Sequence, residues 1–240
     1  MPAAYRSYHR RDPHSFAFGV FASLEAMSAD VPLEALIVPE SPQTNDGLDR
    51  LISSARKRHL RIIHGNRLLQ RLSGKGDCRA IVVYRKQDQA LAQDRDHVVL
   101  IEPADMGNLG TIMRTMCGFG IRDLAIVGQS ADHHHPRVVR AAMGACFQLR
   151  IETFPDHLNY LRQHDRAWYP FISHGHHPLH EITWQSPASL IFGNESSGLD
   201  AFWDDIGTPV CIPHALTIDS LNLALAVGIG LYELRRPPGA

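Results

Sequence analysis

His97-Val98-Val99-Leu100-Ile101, Leu109-Gly110-Thr111-Ile112-Met113-Arg114-Thr115-Met116-Cys117 and Leu124-Ala125-Ile126-Val127 set the fold class of this 240-residue chain. A short apolar run, a stretch with helical spacing and a second apolar run form a βαβ unit, whose near-continuous hydrophobic strands suit a parallel sheet covered on both faces. Reading onward, helices are expected at Val138–Ala145 and Asp156–His164. Strands are expected at Phe147–Ile151, Tyr169–Ile172, Leu190–Phe192 and Val210–Ile212, with a final helix starting near Ser220. This alternation predicts an α/β domain with a parallel sheet, whose ligand crevice lies beyond the carboxyl ends of the strands.

Reading backward, a smaller α/β unit is expected. Phe16–Met27 reads as a helix, Leu33–Val38 as a strand, and Leu48, Leu51, Ile52 and Ala55 as the apolar stripe of an amphipathic helix. A strand at Leu60–Ile63, a helix at Asn66–Leu72 and a strand at Ala80–Tyr84 complete it. The polar stretch Lys86–Asp96 reads as a linker, so the domains are placed at 1–92 and 96–240.

Composition excludes several classes. With 44% hydrophobic and 20% charged residues the chain is too apolar to be disordered. Its longest apolar stretch, Leu223–Tyr232, is about half of the roughly 20 residues a bilayer span needs, so a soluble, non-membrane protein is expected. Cys78, Cys117, Cys146 and Cys211 form no Cys-x-x-Cys pair, which points to reduced thiols in the cytoplasm. The histidines at 133–135 and at 174, 176 and 177 lack a cysteine or carboxylate framework, so no metal is expected.

The net charge of −1 conceals a basic front of +5 over residues 1–95 and an acidic back of −6 over residues 96–240. Between Arg50 and Lys86 stand 11 basic residues against one acid, Asp77. Arg50, Arg56, Lys57, Arg58, Arg61, Arg67, Arg71 and Lys75 therefore form a candidate phosphate-binding surface for RNA, set against the plainer alternative of a solvated face. Tyr84, beside Arg85, is the candidate for base stacking.

Three loops carry the candidate chemistry. In Asp105–Arg114 the glycines allow close backbone approach, the helix start offers free N–H groups, and Arg114 adds a positive charge. In Gly193-Asn194-Glu195-Ser196-Ser197-Gly198-Leu199, Glu195 is either an acceptor tying down backbone N–H groups or a catalytic acid/base. In Ile212-Pro213-His214-Ala215-Leu216-Thr217-Ile218-Asp219-Ser220-Leu221-Asn222, Ser220 is the expected N-cap of the last helix and Asn222 sits in its first turn. That helix is apolar all round and has small residues at Gly228 and Gly230, which suits burial on more than one side and a subunit interface. No Gly-x-Gly-x-x-Gly dinucleotide fingerprint is present.

Together these residues resemble a known family. Asn108-x-Gly110-x-x-x-Arg114, Phe192-Gly193-Asn194-Glu195-x-x-Gly198-Leu199, and Ile212-Pro213 followed by Ser220-Leu221-Asn222 are similar in order, spacing and type to the three motifs of the SpoU (TrmH-like, SPOUT) RNA 2′-O-ribose methyltransferases. Pro136–Ala145 adds support, and the basic front resembles the small RNA-binding domain of many members. The resemblance implies a trefoil-knotted sheet, S-adenosylmethionine as cofactor, rRNA or tRNA as substrate, and a homodimer through the C-terminal helix. It implies cofactor contacts at Gly193, Asn194, Ile212, Ser220, Leu221 and Asn222, and a polar cluster of Asn108, Arg114, Glu195, Ser220 and Asn222. Met106, Ala142 and Gly76-Asp77-Cys78 depart from common family residues and leave that cluster intact. The alternatives are an RNA-binding protein that has lost the reaction, and an rRNA methyltransferase that confers antibiotic resistance.

Overall fold

The computed structural model describes residues 5–41, 45–74, 78–173, 177–215 and 217–237. In chain order the first elements are β1 (His14–Phe18), α1 (Val20–Ser28), β2 (Leu33–Val38), α2 (Asp46–Lys57), β3 (Arg61–His64), α3 (Asn66–Ser73) and β4 (Ile81–Arg85). Then come β5 (His97–Ile101), α4 (Met106–Gly118), β6 (Asp123–Val127), α5 (Pro136–Ala141), β7 (Arg150–Phe154), α6 (His157–Gln163) and β8 (Ala167–Phe171). The last are β9 (His177–Pro178), β10 (Ala188–Phe192), β11 (Val210–Cys211) and α7 (Leu223–Arg235). Two compact units result, one of residues 1–87 with 132–148, the other of residues 88–131 with 149–240.

The first unit is a four-stranded mixed sheet in the order β1-β4-β2-β3. Residues 16–18, expected to open a helix, instead lie in β1, which pairs antiparallel with β4 (Phe16 opposite Val83). The reason is local: Gly19 has φ 88°, a conformation that suits glycine and separates the strand from α1. Phe16, Ala35, Ile37, Leu69, Leu72, Ile81 and Val83 form the core between the sheet and α3. Residues 132–148, placed by the sequence reading in the second domain, pack here. Ser15 Oγ donates to the His134 carbonyl at 2.5 Å, Tyr8 hydrogen-bonds Asp132, and Phe147 meets the Tyr84 ring edge-on at 4.9 Å. Tyr84 is thus a core residue, 2% exposed, and is not placed to stack on a base.

The second unit is a seven-stranded parallel sheet in the order β7-β6-β5-β10-β8-β11-β9. The stretch 88–92, read as linker, belongs to it. Leu91 is buried in the core with Val99, Ala125, Ile191 and Trp203, and its N–H donates to Glu152 at 2.9 Å. β7 begins at Arg150, three residues later than expected, because Ala145–Gln148 forms a 3-10 turn. Connections leave β5 towards β6 and β7 on one side, while β10 and β8 lie on the other. The carboxyl ends of β5 and β10, neighbours at this reversal, form the switch point where open α/β sheets bind ligands. Among the described residues no helix is long and apolar enough to cross a membrane.

Candidate active site

Each of the three loops leaves the carboxyl end of a strand, and side chains tie them together. After β5, Glu102 takes φ 50°, unusual for a residue with a side chain. Its N–H bonds the Val127 carbonyl at 2.8 Å, and its own carbonyl accepts from Asn194 Nδ2 at 2.7 Å. Asp105 caps α4, accepting from the Asn108 N–H at 2.7 Å. α4 therefore begins at Met106, three residues before the sequence reading placed it.

Glu195 accepts hydrogen bonds from the segment that follows β5. Its Oε2 accepts from the Ala104 N–H at 3.1 Å, and its Oε1 accepts from the Asp105 N–H at 3.1 Å and from Asn108 Nδ2 at 3.3 Å. Burial pushes this carboxyl up, but the N–H groups of Ala104, Glu195 itself and Asp105, with the Asn108 amide, outweigh it and hold the group below the usual carboxylate range. A carboxylate saturated in this way clamps two loops in place.

The Gly193–Leu199 loop is a tight turn. Asn194 Oδ1 accepts from the Ser196 N–H and hydroxyl at 2.9 and 2.7 Å, and the Gly198 N–H returns to the Asn194 carbonyl at 3.0 Å. A Cβ on Gly193 would lie 2.1 Å from the Gly198 carbonyl carbon, so only glycine fits there.

Asn222, not Ser220, caps the last helix. Its Oδ1 accepts from the N–H groups of Ala224 and Leu225 at 3.0 and 3.3 Å, so α7 starts at Leu223. Its Nδ2 donates to Asn108 Oδ1 at 3.1 Å, completing a chain of side chains from Glu195 through Asn108 to α7. Arg114 is on the exposed face of α4, two turns beyond Asn108, and Ser220 is exposed on the loop before α7.

Beside this polar chain is a cleft of about 330 Å³. Phe171, Phe192, Val210 and Leu223 supply apolar walls, and Gly193, Asn194, Ile212, Ser220 and Leu221 all line it, as does Glu195. Asn108, Arg114 and Asn222 are not among its lining residues. The sequence reading passed over His214, which also lines the cleft and whose Nδ1 donates to the Ile212 carbonyl at 2.7 Å. Its position straight after Ile212-Pro213 was the available signal.

In the first unit, Arg50, Arg56, Lys57, Arg58, Arg61, Arg67 and Arg71 are all exposed. Arg71 is anchored, its Nη2 donating to the Tyr5 carbonyl at 2.9 Å. Lys75 lies outside the described residues. Lys86, at the end of the basic stretch, is turned inward, donating to the Arg10 carbonyl at 2.9 Å with Asp132 at 3.9 Å.

The chain is similar to known proteins in sequence and in fold. An uncharacterized tRNA/rRNA methyltransferase of Synechocystis sp. is 34% identical over 143 residues, 58% of this chain and 52% of that protein. The 23S rRNA (uridine(2479)-2′-O)-methyltransferase of Streptomyces viridochromogenes is 30% identical over 148 residues, again 58% and 52%. The aligned part thus spans about half the length of these curated relatives. The crystal structure of the SpoU methyltransferase AviRb from the same Streptomyces, in complex with AdoMet, superposes with a TM-score of 0.82 over 93% of this chain and 89% of that one, at 23% identity, a likeness of fold. Residues 96–232, more than half of the chain, match the SpoU rRNA Methylase family. The three tied loops lie within that span, and the chain belongs to the SpoU rRNA methylase family.

Proposed function

We propose that this protein transfers a methyl group from S-adenosylmethionine to a ribose 2′-hydroxyl of structured rRNA or tRNA in the cytoplasm. The observation that carries the reading is the linkage of Glu195, Asn108 and Asn222, which fixes three strand-end loops beside one half-apolar cleft.

The cleft fits an adenosine-containing ligand. Its volume of about 330 Å³ lies in the range of small-molecule sites, and its aromatic floor and loop backbone suit a flat heterocycle with a polar rim. Gly193, Asn194, Ile212, Ser220 and Leu221 would hold the cofactor, with Asn222 supporting them from the start of α7. The cofactor, when bound, supplies a methyl activated on a sulfonium. The chain's own task is alignment of the ribose and stabilisation of charge developing on its 2′-oxygen. Arg114 suits the second role, because a guanidinium keeps its proton and acts as a fixed positive charge and not as a base. Asn108, held by Glu195 and Asn222, is pre-aligned at the start of the same helix.

The exposed cations of α2, β3 and α3 would meet phosphates. A second copy of the chain would cover α7, where Leu225, Ile229 and Tyr232 form an outward apolar stripe 62%, 39% and 61% exposed. The sequence relatives named for tRNA and rRNA modification support the substrate class. Deleting the gene and mapping 2′-O-methyl groups across total RNA tests the reading. Loss of at least one ribose methyl is expected, and an unchanged map would overturn it.

A further inference from the structure

The turn after β11 holds a histidine whose ring is oriented by its neighbours. Pro213 presets the backbone and offers no N–H, and His214 folds back so that Nδ1 reaches the Ile212 carbonyl at 2.7 Å. A carbonyl only accepts, so Nδ1 carries the proton. The neutral ring then has a lone pair at Nε2 and no hydrogen there. Nε2 has no hydrogen-bond partner among the described residues, and the ring lines the cleft.

The other side chains of the cleft show where that lone pair matters. Phe171, Phe192, Val210 and Leu223 accept nothing, and Glu195 already receives three hydrogen bonds from the β5–α4 segment; Asp219 and the hydroxyls of Ser173, Ser197 and Ser220 are acceptors too but stand exposed, whereas the His214 ring is half-buried. An adenosine brings three donor groups, two ribose hydroxyls and the exocyclic amine. A donor buried in such a cleft without an acceptor loses its hydrogen bonds to water with no replacement.

We propose that His214 is a positioning residue for the nucleoside cofactor, its Nε2 accepting a hydrogen bond from an N–H or O–H donor of the adenosine part. The inference rests on the reading of the cleft as the S-adenosylmethionine site. It concerns His214, which is not among the cofactor contacts that the family resemblance implies.

Two substitutions separate this role from mere support of the turn. His214→Asn places an amide near the position of Nδ1, keeping a donor for the Ile212 carbonyl and removing the distal acceptor. His214→Gln places an amide oxygen near the position of Nε2 and gives up the Ile212 bond. Calorimetric titration of the full chain with S-adenosylhomocysteine is the readout. His214→Gln is expected to bind within about 3-fold of the unmodified protein, and His214→Asn and His214→Ala about 3- to 10-fold more weakly, the scale of one hydrogen bond.

Repeating the titration with the 2′-deoxy, 3′-deoxy and 6-deamino analogues of S-adenosylhomocysteine identifies the donor. One analogue is expected to bind the unmodified protein more weakly while losing nothing further on His214→Ala. Unmodified affinity in His214→Asn with a loss in His214→Gln would overturn the proposal, as would equal losses against all three analogues in His214→Ala. Failure of the folded, unmodified protein to bind S-adenosylhomocysteine at all would remove the cofactor reading itself, and this inference with it.

Discussion

Asn222 Nδ2 and Asn108 Oδ1 meet at 3.1 Å although the residues are 114 positions apart, so the cap of the last helix also holds the first motif in place. The two ends of the Asn222 amide do different work. Oδ1 caps α7, and Nδ2 steers Asn108, whose own amide nitrogen points to Glu195.

Asn222→Asp should therefore keep the cap, since a carboxylate at a helix start accepts the same N–H groups and suits the helix dipole. It presents an acceptor to Asn108 Oδ1 where a donor is needed. Thermal denaturation should find the midpoint within about 2 °C of the unmodified protein, with methyl transfer reduced at least about 10-fold. Asn222→Ala should instead lose about 1 kcal/mol of stability through the missing cap. Full activity in a stable Asn222→Asp protein would show that the Asn108 link is dispensable.

Gly193→Ala sets a methyl group against backbone, 2.1 Å from the carbonyl carbon and 2.3 Å from the carbonyl oxygen of Gly198. Backbone cannot step aside as a flexible side chain can. The Asn194–Gly198 turn must open, and with it the Asn194 bond to Glu102. Calorimetry should find S-adenosylmethionine affinity reduced by at least about 100-fold. Near-normal affinity would place the ligand away from this loop.

A buried histidine at the opposite, amino end of the strands gives a pH dependence with a definite sign. His97 is fully buried, with Tyr160 Oη at 2.9 Å from Nδ1 and the Ala92 carbonyl at 2.8 Å from Nε2. Burial, then the charge of Arg166, lowers its pKa to about 4. The unfolded chain takes up a proton near pH 6.5 and the folded chain does not, so stability is complete above pH 6.5 and falls as pH drops towards 4. The contribution of this residue is about 3 kcal/mol over that window. Urea denaturation between pH 4 and 7 should show the loss, and His97→Gln should flatten it. An unchanged slope in the variant would assign the dependence to other groups.

The parts of this architecture that were legible in the sequence are those that local pattern controls. Val98–Ile101 and Leu190–Phe192 are apolar runs that only a covered sheet accommodates, and both are strands. The glycine-rich loops were legible because residues such as Gly193 answer to a steric demand. Phe16–Phe18 was misread because the helical spacing of residues 20–27 extends back through it, and the decisive partner, β4, lies more than 60 positions away. Residues 132–148 were misassigned for a similar reason, since what places them is Ser15 and Tyr84 in distant strands. Ser220 was read as the cap because it suits the role, but Asn222 can bond both the helix start and Asn108. His214 has one signal in the sequence, its place straight after Ile212-Pro213, and that signal says nothing of the Ile212 carbonyl or the cleft wall on which its standing depends.

If the exposed cations of α2 meet phosphates, their removal should change salt dependence before anything else. In Arg56→Ala/Lys57→Ala/Arg58→Ala, RNA affinity should fall, and each lost contact should reduce the log–log salt slope by about 0.7 to 0.9. Cofactor affinity should be unchanged. Filter binding across a salt series is the check, and an identical slope would take this face out of the RNA interface.

The most direct test of the account follows the methyl group. Purified protein is incubated with methyl-labelled S-adenosylmethionine and with rRNA and tRNA from the deletion strain, and the RNA is hydrolysed in alkali. The account predicts label in alkali-resistant dinucleotides carrying a 2′-O-methyl ribose, and turnover reduced about 100-fold or more in Arg114→Ala at saturating RNA, the scale for losing one fixed charge at the reacting oxygen. Label on a base, no transfer by folded protein that binds the cofactor, or full turnover in Arg114→Ala would contradict it.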